Sequence, residues 1–345
     1  LDAADVGMGL TGVTSLAKAI SSMAVLTTLR CGSNPGMVGE LYPSGNLKTP
    51  DVHIEALQEL LNALKPSGVT ELDISAIGIG PKGADHVADY VRDATAVLTS
   101  LNCLKNPLGD EGLATLVTAV EASSVGSICG LTEGQTTVDW SKQNLGPFDC
   151  KIIAADFGFR RFSAALAHLA ICKNKIGSEG GTALVEAIKT SNLESISIGK
   201  DLTLPIKGEL NTPTLDASNQ DIDPGYVMIL AWWLATPAGA VLKSLTVDST
   251  GNMNEQIPYK LSVTTSSFSI KDAASTSVPV TKGVITMIDG RTVMEVDPES
   301  RSAAEVTALW KYIADRLEKN FRRTIFAAPH AQSAMPGVHR PAGDF

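Results

Sequence analysis

The segment from residue 78 to residue 83 carries a motif whose spacing suits cofactor binding. It reads Gly78-Ile79-Gly80-Pro81-Lys82-Gly83, a G-x-G-x-x-G sequence between a predicted strand and a predicted helix. Glycines at this spacing let the backbone approach the pyrophosphate of a dinucleotide. Two similar segments, residues 109–112 and 177–180, carry the same turn without the first glycine. We therefore interpret the motif as the turn of a repeat and expect no cofactor.

The other residues that could take part in catalysis or metal binding are scattered along the chain. Ser15 and Lys18 form an S-x-x-K pair without the companion motifs that this catalytic pair requires. The five histidines lie at positions 53, 86, 168, 330 and 339, and none has a partner at the spacing of metal ligands. We therefore expect neither a metal site nor an enzyme.

The five cysteines are widely spaced and form no C-x-x-C pair, which argues against a zinc site or a redox motif. A buried thiol packs as a small hydrophobic group. We expect free, structural thiols at Cys31, Cys103, Cys129, Cys150 and Cys172. Free thiols, together with the lack of an N-x-S/T sequon, favour an intracellular, reducing compartment, either cytoplasmic or organellar.

A repeated apolar spacing, followed by a glycine-rich turn, organises most of the chain. Its two complete copies are Leu98-x-x-Leu101-x-Cys103-x-x-Asn106-x-Leu108-Gly109-Asp110-Glu111-Gly112 and Leu166-x-x-Leu169-x-Ile171-x-x-Asn174-x-Ile176-Gly177-Ser178-Glu179-Gly180. A third copy runs from Val69 to Gly83, and a degenerate fourth runs from Val138 to Pro147. The regular steps between copies are 27 to 31 residues. This period is typical of a stacked array of strand–helix units.

Each copy predicts a short strand followed by a helix. Leu101 and Cys103 alternate with polar neighbours, which is the period of a strand with one buried face. Residues 111–122 and 179–189 have the spacing of amphipathic helices. We therefore predict an α/β solenoid over residues 1–250, with a curved parallel sheet inside and helices outside. Its parallel strands should include those at 71–75, 100–104, 168–172 and 244–248.

Three of the distances along the chain between successive copies differ from this period. Two long steps predict loop insertions near residues 35–50 and 123–134. The step from residue 193 to residue 212 is too short for a helix, so this stretch should contain bare strands joined by turns.

The pattern changes after residue 250. Residues 251–326 are predicted as a β-rich segment and a capping helix, with a hairpin over 284–296 and the helix over 299–321. The turn of this hairpin, Asp289-Gly290, suits type I′ geometry. Residues 327–345 are rich in Pro, Ala and Gly, and this composition predicts an extended tail. At this end the candidates for charge-assisted contacts with a neighbouring protein are Arg322, Arg323 and Arg340.

The motifs of residues 1–250 resemble the leucine-rich repeat family, in particular its ribonuclease-inhibitor-like branch. Asn106 and Asn174 match the asparagine of that family's pattern. The resemblance implies that each asparagine side chain bonds to the backbone of the turn after its strand, where amides would otherwise stay unpaired. Ile77 stands at this position in its own copy, so we expect an irregular turn there. The resemblance concerns the fold and does not identify a partner.

Strand residues that flank the buried positions should point to the concave side of the sheet. This face is rich in small hydroxyl-bearing and acidic residues, which suits a protein partner with basic or extended segments. A solvated polar surface without a partner and a face for a small ligand such as a glycan are the alternatives. The candidate partner-binding residues are Arg30, Glu71, Asp73, Asn102, Asp139, His168, Asp216 and Asp248.

Trp232 and Trp233 are adjacent in a predicted helix over residues 224–235. One ring should join the core, while the other should face sideways or outwards. The pair is thus either core packing or an anchor for a partner, because tryptophan is enriched in interface hot spots.

The composition narrows the class of protein. The chain has 345 residues, of which 44% are hydrophobic and 19% charged, as in soluble globular proteins. Its 28 basic and 37 acidic residues give a net charge of −9, which argues against a nucleic-acid partner. No run of 18 apolar residues occurs, so we expect no membrane span. The chain opens without Met and in the middle of a repeat, so we expect it to begin inside a longer protein or after a removed leader.

These observations predict a non-catalytic scaffold for protein–protein interaction, a structural or accessory subunit of a larger assembly. The alternative is a regulator of a GTPase, because the Ran GTPase-activating proteins carry this branch of the repeat. Such a protein is expected to have an acidic C-terminal region. This chain instead has basic residues near its end, followed by the Pro/Ala/Gly tail.

Overall fold

The structure is a computed structural model that describes most of residues 1–240 and six strands beyond them. Up to residue 240 it leaves out residues 24, 94–96, 209, 211, 213, 218, 219, 221 and 235. Several predictions lie outside the described residues: the Asp289-Gly290 turn, the helix over 299–321 and the tail over 327–345. The candidate contacts Arg322, Arg323 and Arg340 lie outside them too, and so do the side chains of all residues beyond 240, including Asp248.

Short strands alternate with helices through the first half of the chain. In order, these elements are α1 (Leu10–Ser21), β1 (Thr28–Arg30), β2 (Glu40–Leu41), β3 (Leu47–Thr49), α2 (Ile54–Leu64), β4 (Glu71–Asp73), α3 (Pro81–Asp93), β5 (Ser100–Asn102), α4 (Gly109–Glu121), β6 (Thr137–Asp139), α5 (Pro147–Phe159) and a 3-10 turn (Phe162–Ala165).

The second half has fewer helices and more strands. The elements are β7 (His168–Ala170), α6 (Gly177–Lys189), β8 (Ser195–Ser197), β9 (Thr203–Pro205), β10 (Thr214–Asp216), α7 (Pro224–Leu234), α8 (Pro237–Ala240), β11 (Ser244–Asp248), β12 (Lys260–Thr264), β13 (Phe268–Lys271), β14 (Ser277–Pro279), β15 (Val284–Thr286) and β16 (Thr292–Glu295). The protein is thus of mixed α/β class, with helices and parallel strands, as the sequence predicted.

The chain divides into two compact units. Unit 1 consists of Leu1–Val138, Leu145–Ala167 and Glu186–Asn192, and unit 2 consists of Asp139–Asn144, His168–Val185 and Leu193–Phe345. This division falls inside the region that carries the repeats, whereas the sequence pattern changes only near residue 250.

Unit 1 contains the parallel sheet β1–β4–β5. The register aligns Leu29, Leu72 and Leu101, the central residues of the three strands, and all three are buried. Alternation of apolar and polar residues produces this arrangement, because successive side chains of a strand point to opposite faces. The helices of unit 1 follow the same order, with α1 packed on α2, α2 on α3, α3 on α4 and α4 on α5. The prediction that the strands at 71–75 and 100–104 are parallel neighbours is therefore confirmed.

Unit 2 combines parallel and antiparallel pairs. Strand β7 is parallel to β8, and β10 is parallel to β11. The short step after residue 193 contains β8 and β9, which pair antiparallel without an intervening helix, as predicted. Strands β12, β13 and β14 continue antiparallel from β11. The predicted hairpin over 284–296 is present as the antiparallel pair of β15 and β16.

The segment predicted as the second loop insertion is part of the sheet of unit 1. Residues 125–131, which we call the edge segment, run beside β5. The N–H groups of Leu101 and Cys103 donate to the carbonyls of Ser127 and Ile128, at 2.9 and 3.0 Å. The edge segment buries its own apolar side chains: Val125, Ile128, Cys129 and Leu131. It therefore occupies the edge of β5 at which a further strand would pair. The first insertion, near residues 35–50, contains the β2–β3 hairpin.

Arg161 fixes the end of the helix that precedes the edge segment. Its guanidinium donates to the carbonyls of Glu121 at 3.2 Å and Ser123 at 2.9 Å, and also to that of Val125. Carbonyls at the end of a helix lack partners within the helix and carry partial negative charge, so a cation stabilises them.

None of the described helices is both long enough and apolar enough to cross a membrane.

The buried side of β5 should tolerate change far less than its polar side. Leu101→Asp places a charge at a fully buried position and should reduce the free energy of unfolding by several kcal/mol. Asn102→Ala removes one bond at a half-buried position, from the N–H of Leu104 at 3.2 Å, and should cost about 1 kcal/mol. Thermal melts of the two variants measure the difference. Equal losses would mean that the register of β5 is displaced by one residue.

Candidate partner-binding face

The strands of unit 1 place four of the predicted binding residues on one strip, Arg30, Glu71, Asp73 and Asn102, which we call the unit 1 face. The register puts Arg30, Asp73 and Asn102 in one row across β1, β4 and β5, while Glu71 lies opposite Thr28. Neighbouring strands in a sheet are about 4.8 Å apart, so the side chains form a continuous strip. The strip presents one guanidinium group and two carboxylates.

Exposure on this face decreases towards the edge segment. Arg30 is exposed, and Glu71 is half-buried, with its Oε2 accepting from the hydroxyl of Thr28 at 3.3 Å. Asn102 is half-buried next to Gly130, where an added Cβ would lie 3.0 Å from that of Asn102. Ser100 flanks the buried Leu101, so alternation predicts that it points to the same side as Asn102, but it is buried, and its hydroxyl donates to the carbonyl of Leu131 at 2.8 Å. The edge segment is the reason, because it covers this end of the row.

Three of the predicted binding residues also hold the turns that follow their strands. The Oδ1 atoms of Asp73 and Asn102 accept the N–H groups two residues ahead, at 3.0 and 3.2 Å. In unit 2, Asp139 accepts the N–H of Ser141 at 2.8 Å, and this bond holds the pKa of the Asp139 carboxyl below its usual value. Such side chains stabilise a turn by mimicking its backbone. Asp73 and Asp139 are therefore acidic residues at strand ends with a structural role in the turn, whether or not they bind a partner.

The predicted binding residues of unit 2 with described side chains are Asp139, His168 and Asp216, and all three are exposed. The prediction that His168 points outwards is confirmed. Its Nδ1 lies 2.9 Å from the hydroxyl of Ser195, the residue opposite it in the β7–β8 register.

Buried asparagines connect each turn to the one before it. The Oδ1 of Asn106 accepts three N–H groups of the preceding turn, those of residues 77, 78 and 79, each at 3.1 Å. Its Nδ2 donates to the carbonyl of Ile74 at 2.8 Å. Asn174 donates to the carbonyls of Trp140 and Ile171, at 2.8 and 2.7 Å. The ladder that the resemblance implied for Asn106 and Asn174 is therefore present.

Asn34 was missed in the sequence although it occupies the same position. It accepts the N–H groups of Val6 and Met8, at 3.1 and 2.8 Å, and donates to the carbonyl of Cys31 at 2.9 Å. The spacing Leu29-x-Cys31-x-x-Asn34 carries the signal that would have found it.

The turn at Ile77 is irregular, as predicted, because its glycine with positive φ stands at a different position from that of the complete copies. Ala76 has the same positive φ as Lys105 and Lys173, which precede the asparagines of the other copies. The glycine with positive φ, however, is Gly78, whereas the complete copies have Gly109 and Gly177 two residues further on. An added Cβ at Gly78 would lie 2.6 Å from the backbone nitrogen of Gly39, so the close approach of the first insertion also requires glycine.

The G-x-G-x-x-G motif is a helix start that binds a carboxylate of the protein itself. Asp51 Oδ1 accepts the N–H groups of Gly80 and Gly83, at 2.7 and 3.1 Å, and its Oδ2 accepts that of Lys82 at 3.0 Å. A helix N-terminus attracts anions through its free N–H groups and its dipole. The amides that would hold a pyrophosphate are thus occupied by Asp51, which supports the interpretation as a turn.

The carboxylates of Asp149, which is buried, and of Asp223, which is half-buried, also accept backbone N–H groups at turns and helix starts, and neither had a recognisable signal in the sequence. Asp149 accepts the N–H groups of Lys105 at 2.5 Å and Gly146 at 2.8 Å, and Asp223 accepts that of Gly177 at 2.8 Å. Burial raises the pKa of both carboxyls above the usual value for aspartate.

The five thiols and one of the two tryptophans pack in the interior, as predicted. All five cysteines are free and buried, and burial raises the pKa of Cys31 to about 12. Trp233 is fully buried, and its indole N–H donates to the carbonyl of Pro205 at 2.6 Å, whereas Trp232 is half-buried.

In the described part of the chain, no three His, Cys, Asp or Glu side chains are grouped so that they could hold a metal ion.

Comparison with known proteins finds neither a protein family nor a curated protein that matches this chain.

Removing Asn106 should destabilise unit 1 strongly. Asn106→Ala leaves three N–H groups without their acceptor, and Ile77 and Ile79, which carry two of them, are fully buried. Because each unsatisfied buried group costs about 1–3 kcal/mol, we expect a loss of roughly 3 kcal/mol or more in the free energy of unfolding. Urea denaturation measures it. The control Asn46→Ala, in the exposed turn between β2 and β3, should change stability by no more than about 0.5 kcal/mol. A similar loss in both variants would contradict the role of Asn106.

Proposed function

We propose that this protein is a non-catalytic scaffold of stacked leucine-rich repeats, which binds a protein partner through the polar face of its parallel strands. The observation that carries the proposal is the row of Arg30, Asp73 and Asn102 on adjacent strands, with Glu71 beside it. Behind this row the buried leucines of the same strands form the core of unit 1. A rigid sheet with polar side chains in fixed register suits recognition of an extended surface.

The charges on the strands support a partner with basic or extended segments. Glu71 and Asp73 place two carboxylates two residues apart on one side of β4. Asp139, Asp216 and His168 are exposed on strands of unit 2. Complementary charge raises the rate of association and suppresses wrong partners. Such a protein would serve as a structural or accessory subunit of a larger assembly in a reducing intracellular compartment, where the five free thiols persist.

Neutralising the unit 1 face should weaken partner binding without unfolding the protein. The double variant Glu71→Gln with Asp73→Asn removes both charges and keeps an oxygen acceptor for Thr28 and for the N–H of Ser75. We expect about a tenfold loss of binding, equivalent to ~1.4 kcal/mol. The measurement is quantitative mass spectrometry of proteins retained from an extract of the source cells by the immobilised chain.

The matched control removes the same two charges from helices of unit 1. Glu59→Gln with Asp85→Asn changes exposed residues of α2 and α3. It should retain the same proteins as the unmodified chain, and all three proteins should melt at similar temperatures. If the face variant retains the same proteins at the same level as the control, binding through this face is refuted.

A further inference from the structure

Asp156 lies in α5 of unit 1 and is completely buried. The two oxygens of its carboxyl group are in different situations. Oδ1 accepts the N–H of Ile128, in the edge segment, at 2.6 Å. Oδ2 has no hydrogen-bond partner. Burial therefore disfavours the ionised carboxylate, and hydrogen-bond donors of the edge segment offset this effect only in part.

The edge segment is the part of unit 1 that this carboxyl group holds in place. Besides the bond from Ile128 to Asp156, its backbone is bonded to Thr99, Leu101 and Cys103, and the carbonyl of Leu131 accepts the hydroxyl of Ser100. The 3-10 turn and its flank bond to it as well: Phe162 N–H donates to Gly126 at 3.4 Å, and Arg161 donates to Val125. The edge segment is outside any regular strand or helix, so its opening would break its own bonds and expose its four apolar side chains but would leave the neighbouring elements intact.

The titratable groups around Asp156 do not compensate a negative charge. Asp156 interacts with the thiols of Cys103 and Cys129, and Cys129 interacts in turn with Asp149 and Cys150. The cation of the adjoining turn, Arg161, donates to backbone carbonyls of residues 120–125. The Ser127 hydroxyl and the N–H of Cys129, both in the edge segment, also interact with the Asp156 carboxyl and lower its pKa, but by less than burial raises it.

We propose that the edge segment is a pH-sensitive cover on β5, held closed while Asp156 carries a proton and released when Asp156 ionises. Release uncovers the N–H groups of Leu101 and Cys103, which are free to pair with another strand, and the thiols of Cys103 and Cys129. The proposal concerns the stability of this cover and is independent of the binding function of the unit 1 face.

The direction of the effect follows from the difference in proton affinity between the closed and open states. Burial raises the pKa of the Asp156 carboxyl to about 7, whereas contact with water in the open state returns it towards the ordinary value of about 3.9. Between these values the closed state binds more protons than the open state. Opening therefore becomes more favourable as pH rises from about 4 to about 7, by up to tenfold per pH unit, and levels off above 7.

Hydrogen exchange tests the proposal in the intact chain. Exchange of the edge segment is followed by mass spectrometry at pH 5, 6, 7 and 8 and divided by the intrinsic exchange rate at each pH. In the unmodified protein the corrected exchange should rise at least tenfold between pH 5 and pH 7 and then level off. In Asp156→Asn it should be independent of pH. The control Asp85→Asn, at an exposed position of α3, should behave as the unmodified protein does. A rise of the same size in Asp156→Asn, or none in the unmodified protein, would overturn the proposal.

Thiol labelling provides a test that does not depend on the variant folding. The rate of reaction of Cys129 with 4,4′-dithiodipyridine is divided, at each pH, by that of glutathione, which removes the pH dependence of thiolate formation. The corrected rate should rise at least tenfold between pH 5 and pH 7. Cys31 is buried outside the edge segment, with its thiol donating to the backbone carbonyl of Asp73, and it should react more slowly than Cys129 at every pH because only wider unfolding exposes it. A corrected Cys129 rate that is independent of pH, or equal rates for the two thiols, would refute the cover.

Discussion

The constraint on which the structure depends is the need to satisfy the backbone amides where each strand ends. There the chain leaves the sheet, and its next N–H groups point into the protein instead of towards a neighbouring strand. Asn106 accepts three of them and Asp51 accepts three more at the start of the following helix. Since folded domains are stable by only about 5–15 kcal/mol, a few unsatisfied amides would be enough to unfold one unit.

Because the acceptors come from distant parts of the chain, they also connect the repeats. Asn106 bonds across to the turn after β4, and Asp149 bonds across to the turn after β5. Asparagine and aspartate differ in how their role as acceptors depends on pH. The amide is neutral at every pH, whereas burial of Asp149 and Asp223 disfavours the charged form and raises the pKa of each. Between the ordinary aspartate pKa and these raised values, the folded state binds more protons than the unfolded state. The contribution of the two aspartates to the free energy of unfolding therefore decreases as pH rises through this range.

Sequence patterns predicted the parts of the fold that depend on local alternation. The burial of Leu101, the polar side of β5 and the helices after each glycine turn follow from residue periodicity alone. The edge segment was not foreseen as part of the sheet, because its spacing, Val125-x-x-Ile128, lacks the later residues of the repeat pattern. The roles of Asp51 and Asp156 were missed for another reason. Their partners lie about 30 residues away along the chain, and no local pattern distinguishes them from exposed acidic residues.

The candidate face combines side chains that the turns require with side chains that the turns leave unrestricted. Asp73 and Asn102 each accept an N–H of their own turn, so their residue types are restricted whatever the protein binds. Arg30 and His168 are exposed and hold no such turn, so the scaffold does not restrict them in this way. Under the function proposed above, information about a partner would therefore reside in positions such as Arg30 and His168, and the acidic strand ends would supply a common background charge. The repeat pattern reflects the positions that the strands and turns restrict, so it predicts strands and helices and carries almost no information about function.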